Sequence, residues 1–177
     1  MKDMKALKDY VTTIPDFPKK GIMFRDITSV IQDPDGFRLA VDGLISLLNG
    51  VDFDYVVASE SRGFVFGAPV ACAMRKGLIL VRKKGKLPRE TISESYELEY
   101  GEATLEIHTD SIKKGQKVVI IDDLIATGGT TDAMIKLVER LGGEIIKICF
   151  IIELAGLDGR KALKGYDVES LIIYEGK

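Results

Sequence analysis

The stretch KVVIIDDLIATGGTTDAMIKLVERLGG, residues 117–143, changes its hydrophobic period part-way along. It opens on KVVIID, a short apolar run rich in β-branched residues, the pattern of a strand buried on both faces. It closes on TTDAMIKLVERLGG, where Met134, Leu137, Val138 and Leu141 fall on one side of a helix, a stripe suited to packing on a sheet. Between the two the chain must turn from strand to helix within a few residues, and Gly128 and Gly129 stand at that turn.

The same alternation continues on either side. DPDGFRLAVDGLISLLNG (33–50) begins with Asp and Pro start signals, keeps a helical apolar period and ends at Gly50. DYVVAS (54–59) reads as a strand, GFVFGAPVACAMRKG (63–77) as a helix closed by Gly77, and LILVRK (78–83) as the next strand. Further on, EIIKICFIIEL (144–154) is a strand, DGRKALKG (158–165) a short helix and VESLIIY (168–174) a last strand. At the front, the first dozen residues look helical, TIPDFPKKG breaks that helix with two prolines and a glycine, and FRDITSVI suits a short strand or turn. Strands alternating with helices give an α/β class with a mostly parallel central sheet flanked by helices. Residues 83–111 interrupt the pattern with a long charged and polar connection, whose second half reads as a β-hairpin-like flap.

The chain has 177 residues, 46% hydrophobic and 29% charged, which suits a single domain, 1–177, with a substantial core. Its net charge of -2 provides no general basic field for nucleic acid or an anionic membrane, so any anion site must be local. Cys72 and Cys149 each sit in an apolar run, and the expectation is two buried reduced thiols and no disulfide. The charged start has no apolar signal core. The longest apolar run, 145–154, is broken by Lys147 and Glu153 and is too short to span a bilayer. The expected location is the cytoplasm. His108 is the only histidine, which excludes a His-based triad or a multi-His metal site and suggests a structural role.

The loop after KVVIID carries the chemistry. A helix that begins near Thr130 offers free N–H groups and the positive end of its dipole to an anion. Thr127, Thr130 and Thr131 add hydroxyls, and Gly128 and Gly129 let the backbone come close. No Walker or dinucleotide fingerprint is present, so the site suits one phosphate monoester. Asp122 and Asp123 precede the loop and would repel phosphate, but carboxylates accept hydrogen bonds from hydroxyls. At a strand end both can reach a ligand on the sheet edge. A phosphate at one end and a vicinal diol at the other describes ribose 5-phosphate, with the two acids also helping to place a magnesium ion. Taken alone, the paired acids suit an Asx turn and the paired glycines a plain connector. ASESRGF lies on the same sheet edge and supplies Arg62, a fork donor for phosphate oxygens, with Gly63 permitting a tight backbone.

Four stretches, FPKKGIMFRDITSVIQDP, ESRGFVFGAPVA, VRKKGKLPRETISESYELEYG and DDLIATGGTT, together resemble the type I phosphoribosyltransferase family over nearly the whole chain, and within it the adenine-specific branch. Members bind phosphoribosyl pyrophosphate (PRPP). The resemblance implies a type I fold with an N-terminal hood over about 1–30 and a flexible β flap over about 83–111. It implies purine salvage: transfer of the phosphoribosyl group from PRPP to adenine, giving AMP and pyrophosphate, with magnesium, in a homodimer. It assigns Ser61, Asp122, Asp123, Ala126, Thr127, Gly128, Gly129 and Thr130 to PRPP and AMP, with a strained, often cis, peptide in the Ser61 loop. Arg82, Lys83 and Lys86 are assigned to pyrophosphate, across a dimer interface, while Lys84 is left as a solvated charge. Glu99 is the implied proton acceptor from the base, Arg62 the second catalytic residue, and Tyr100 the closure over the reaction centre. Hypoxanthine and guanine enzymes carry an acidic residue where Ala126 stands, which favours the flap carboxylate for the proton. Adenine is placed against Phe24, with Met23 and Arg25 beside it and Leu154 on the far face. Two alternatives stay open: the same transfer to xanthine, guanine or orotate, and a PRPP-sensing regulator without catalysis.

Overall fold

Residues 118–121 and 148–152 are completely buried, as continuous apolar strands must be when helices cover both sheet faces. The computed structural model describes residues 5–97 and 101–176. A 3-10 turn, Leu7–Tyr10, leads into β1 (Thr12–Pro15) and β2 (Met23–Asp26), followed by α1 (Thr28–Gln32) and α2 (Pro34–Leu47). Then come β3 (Tyr55–Ser59), α3 (Arg62–Ala73), β4 (Gly77–Lys83), β5 (Thr91–Glu97) and β6 (Glu102–His108). The chain finishes with β7 (Lys117–Ile125), α4 (Gly129–Arg140), β8 (Glu144–Leu154), 3-10 turns Ala155–Leu157 and Gly159–Lys161, and β9 (Val168–Tyr174).

Seven strands form one sheet in the order β5-β6-β4-β3-β7-β8-β9, and β1 pairs with β2 in a separate antiparallel ribbon. The pairs β4·β3, β3·β7, β7·β8 and β8·β9 are parallel. The polar connection supplies the antiparallel edge: β6 pairs with β4, and β5 with β6. The flap hairpin is thus continuous with the main sheet. Two cores follow from the period of two along β7. Val119 and Ile121 pack into one with Phe66 and Leu44, and Val118 and Ile120 into the other with Met134, Leu137 and Val138 of α4. Each such side chain removed from water contributes roughly 1.5–3 kcal/mol. Leu141, the fourth member of the stripe, is half-buried against the second core.

Helix α2 starts where its sequence signals it. The Asp33 side chain accepts the N–H groups of Asp35 and Gly36 at 2.9 and 3.0 Å, and Pro34 fills the first helical position.

Four expectations need correction. Among the described residues the front of the chain is only the 3-10 turn Leu7–Tyr10, and Thr12–Pro15 after it is a strand paired with Met23–Asp26. Helix α3 ends at Ala73 and turns through Arg75, at φ 55°, so Gly77 opens β4 and does not close the helix. The DGRKALKG segment forms only the 3-10 turn Gly159–Lys161. Cys149 is buried, which pushes its thiol up to about 12, but Cys72 is exposed on the outer side of α3. Both thiols are free. No helix among the described residues is long and apolar enough to cross a membrane.

Candidate active site

Strands β4, β3, β7, β8 and β9 run parallel, so their carboxyl ends share one edge, where open α/β sheets bind ligands. A cavity of about 400 Å³ opens there. It is lined by residues 59–62 at and beyond the end of β3, residues 122–131 from the end of β7 into the first turn of α4, and Lys83, Tyr96 and Leu105 from the hairpin side.

The loop has the chemical features that can receive an anion. Gly128 is the N-cap of α4 in the left-handed region, φ 86°, which a side chain would resist, and it offers no capping side chain to the first-turn amides. Those amides therefore face the cavity together with the positive end of a twelve-residue helix. Thr127, Thr130 and Thr131 line the same wall, and the Thr130 hydroxyl donates to the Tyr96 hydroxyl at 3.2 Å.

The two carboxylates sit further inside the sheet than a strand-end reading expects, since β7 runs on to Ile125 and both residues are buried. They still line the cavity together. The two-core alternation explains how. Ile121 and Leu124 pack on the same core, and Ile120 and Ile125 share the other, so the alternation slips by one residue across Asp122 and Asp123. Asp122 accepts the Ser59 hydroxyl at 2.7 Å and the Asp123 N–H at 2.9 Å. Asp123 accepts Arg62 Nε at 2.5 Å. Burial first, and then the neighbouring Asp123 charge, push the Asp122 carboxyl well above the usual carboxylate range. Close packing continues behind: a Cβ on Gly63 would stand 2.8 Å from an Asp122 oxygen. The Glu60–Ser61 peptide, in the loop where the resemblance implied such a bond, is cis.

Residues 31–175 match the phosphoribosyl transferase domain family. The adenine phosphoribosyltransferase of Agathobacter rectalis is 63% identical over 174 residues, covering 98% of this chain and 100% of the relative. The chain belongs to the adenine phosphoribosyltransferase family. The family member from Thermoanaerobacter pseudethanolicus has a crystal structure that aligns with a TM-score of 0.91 at 54% identity, covering 95% of this chain and 98% of that one. The adenine phosphoribosyltransferase of Saccharomyces cerevisiae, solved with an imino-altritol bisphosphate and adenine, aligns with a TM-score of 0.87 at 40% identity, covering 93% and 96%.

Of the residues that the phosphoribosyltransferase resemblance singled out, Ser61, Arg62, Lys83, Asp122, Asp123, Ala126, Thr127, Gly128, Gly129 and Thr130 meet in this one cavity. Arg82 is directed elsewhere: its Nε donates to Glu60 at 3.1 Å and its Nη1 to the Lys86 carbonyl at 3.1 Å. The Glu60 carboxyl, held below the usual carboxylate range by the Arg82 hydrogen bond, also accepts the Lys83 N–H. Arg82 and Lys86 line a separate hollow with Leu78, Leu87 and Pro88. Lys84 is exposed.

Met23, Phe24 and Arg25 lie on the β1–β2 ribbon, outside the lining of the cavity. Phe24 packs edge-on against Phe17, with ring centroids 5.1 Å apart. The Arg25 guanidinium sits 4.0 Å from the Tyr174 ring and bonds Thr13. Tyr174 is in register with Leu154, so the ribbon meets the carboxyl edge of the sheet at the side of Leu154. Glu99 and Tyr100 lie outside the described residues, beyond the end of β5 at Glu97.

Three polar lining residues were not singled out from sequence: Ser59, Glu60 and Tyr96. Tyr96 had a signal. Along β5, residues Ile92, Glu94 and Tyr96 alternate with exposed neighbours, a period of two that turns Tyr96 inward.

Proposed function

We infer that this chain transfers the phosphoribosyl group of PRPP to adenine, forming AMP and pyrophosphate in purine salvage. The observation that carries the reading is the pairing, on one cavity wall, of an uncapped helix N-terminus with two buried carboxylates. The loop of residues 126–130 takes the 5′-phosphate by its amides and threonine hydroxyls. Asp122 and Asp123 accept the two ribose hydroxyls. Burial and the Asp123 charge raise the Asp122 carboxyl above the usual carboxylate range, and a ligand that brings hydroxyl donors favours its charged form.

Arg62, half exposed and bonded to Asp123, is free on its outer side to turn toward the departing pyrophosphate. Lys83 stands on the same wall and adds a second cation. As the carbon–oxygen bond to pyrophosphate breaks, the base ring nitrogen bonds the anomeric carbon and its proton passes to an acceptor. Glu99 is our candidate for that acceptor, with Tyr100 closing the site against water. Met23, Phe24, Arg25 and Leu154 form the proposed adenine slot, an apolar face with backbone contacts suited to a flat base.

Two carboxylates offer hard oxygen ligands of the kind magnesium takes, and no cluster of three or more metal-ligating side chains exists among the described residues. The residues therefore fit a magnesium ion held mainly by PRPP, with Asp122 and Asp123 beside it, supplying charge neutralisation on the pyrophosphate. The protein is proposed to act in the cytoplasm as a homodimer, with the basic segment after Val81 at the interface.

The test is an assay of the purified protein with PRPP, magnesium and a panel of bases. Adenine should give AMP. Turnover of guanine, xanthine, hypoxanthine or orotate with none of adenine would reject the reading, as would PRPP binding without turnover of any base.

A further inference from the structure

The phosphate loop is supported from behind by a segment that contributes nothing to the cavity lining. Gly159, buried at the start of its 3-10 turn, packs its backbone directly on the loop. A Cβ on Gly159 would collide with the Ala126 carbonyl and would stand 2.7 Å from Ile125 Cγ1. A Cβ on Gly128 would stand 2.6 Å from the Gly159 carbonyl. Two stretches of backbone, residues 126–128 and residue 159, are therefore in direct contact, and only glycine allows it on either side.

The turn is fixed to the sheet by its next residue. Arg160 Nε and Nη2 donate to the two oxygens of Glu153 at 2.7 Å each, and Nη1 donates to the Val168 carbonyl at 2.8 Å. Glu153 is buried and also accepts the Ser170 hydroxyl at 2.8 Å. The Arg160 hydrogen bond holds its carboxyl below the usual carboxylate range. In β8, Glu153 lies in register with Ile125, the last residue before the loop. Leu163, buried in the second core, anchors the far end of the turn. A bidentate guanidinium–carboxylate pair fixes direction as well as distance, which a single point charge does not.

We propose that Gly159 and Arg160, latched to Glu153, are positioning residues for the 5′-phosphate: they hold the loop of residues 126–129 in the shape that presents its amides. The inference rests on the phosphate-site reading given above. Neither residue touches the phosphate. Loosening the support weakens an interaction made equally in the ground and transition states, so it raises KM for PRPP and leaves kcat nearly unchanged.

The experiment compares Gly159→Ala, Arg160→Lys and Gly165→Ala in steady-state assays with PRPP and adenine, alongside calorimetric binding of ribose 5-phosphate. Gly165 has φ 103° and open space around its Cβ position, so its alanine variant strains a neighbouring turn without pressing on the loop. Arg160→Lys keeps the charge and loses the fork, and it carries the test if Gly159→Ala does not fold. We expect about a tenfold rise in KM for PRPP and an equal loss of ribose 5-phosphate affinity in the first two variants. Their kcat and KM for adenine should stay close to the parent, and Gly165→Ala should lower only thermal stability. Unchanged KM for PRPP in Arg160→Lys, or the same shift in Gly165→Ala, would overturn the proposal. Failure of the parent protein itself to bind ribose 5-phosphate would overturn the site reading beneath it.

Discussion

The Ser59 hydroxyl donates to Asp122 at 2.7 Å, joining the carboxyl end of β3 to β7 across 63 positions of sequence. That bond, with the Asp123 N–H, is what holds a buried carboxyl in place before any ligand arrives. Two acids share one pocket, and only Asp123 has a cation beside it. Burying two neighbouring carboxyls is costly, and the arrangement suits a ligand that brings hydroxyl donors.

Replacing Asp122 by Asn should therefore separate stability from function. A carboxyl raised above its unfolded value binds its proton more tightly in the folded state. Its stabilising contribution is fully present below the ordinary aspartate range and is lost as pH rises through the folded value. Parent stability should fall from mildly acid toward alkaline pH, and Asp122→Asn should flatten that slope while losing ribose 5-phosphate binding. Urea unfolding at a series of pH values checks it, and parallel curves for the two proteins would contradict it.

Arg62→Ala should reduce kcat by about a hundredfold or more, the scale for losing one donor aimed at developing charge. It should also lower stability by more than a surface ion pair would, because Asp123 is buried and is left without its cation. Steady-state kinetics with thermal unfolding separates the two effects.

Tyr96→Phe removes the acceptor of the Thr130 hydroxyl and leaves the ring against Gly129. The expected result is a weaker hold on PRPP by about 1 kcal/mol, roughly fivefold in KM, with adenine KM unchanged. An effect on adenine alone would place Tyr96 in the base slot.

Phe24→Ala should do the opposite, raising KM for adenine while ribose 5-phosphate binding, measured without base, is unaltered. The ring packs on Phe17 at the ribbon and not in the phosphate cavity.

Much of this molecule was legible before its coordinates. The apolar runs of β3, β7 and β8 and the stripe on α4 fix an α/β sheet, because burial on both faces leaves no other solution for them. The turn from strand to helix at Gly128 and Gly129 was equally plain, since paired glycines before an amphipathic helix have a direct meaning in backbone angles and dipole. Three things were not fully legible. The ribbon was legible only in part: FRDITSVI suited a short strand, and Met23–Asp26 is one, but its partner Thr12–Pro15 escaped because a four-residue strand ending on a proline gives no period long enough to read. The depth of Asp122 and Asp123 depends on a slip in the alternation, which no local residue announces. The Glu153–Arg160 latch joins residues whose partners are set only by tertiary packing, and a charged pair near a turn reads as surface.

The most direct test is a crystal structure of the protein soaked with AMP. The phosphate should lie at the amides of residues 126–130 and the ribose hydroxyls on Asp122 and Asp123, with Arg62 turned away from Asp123. Nucleotide bound elsewhere, with Asp122 still on Ser59 and Asp123 still on Arg62, would contradict the account.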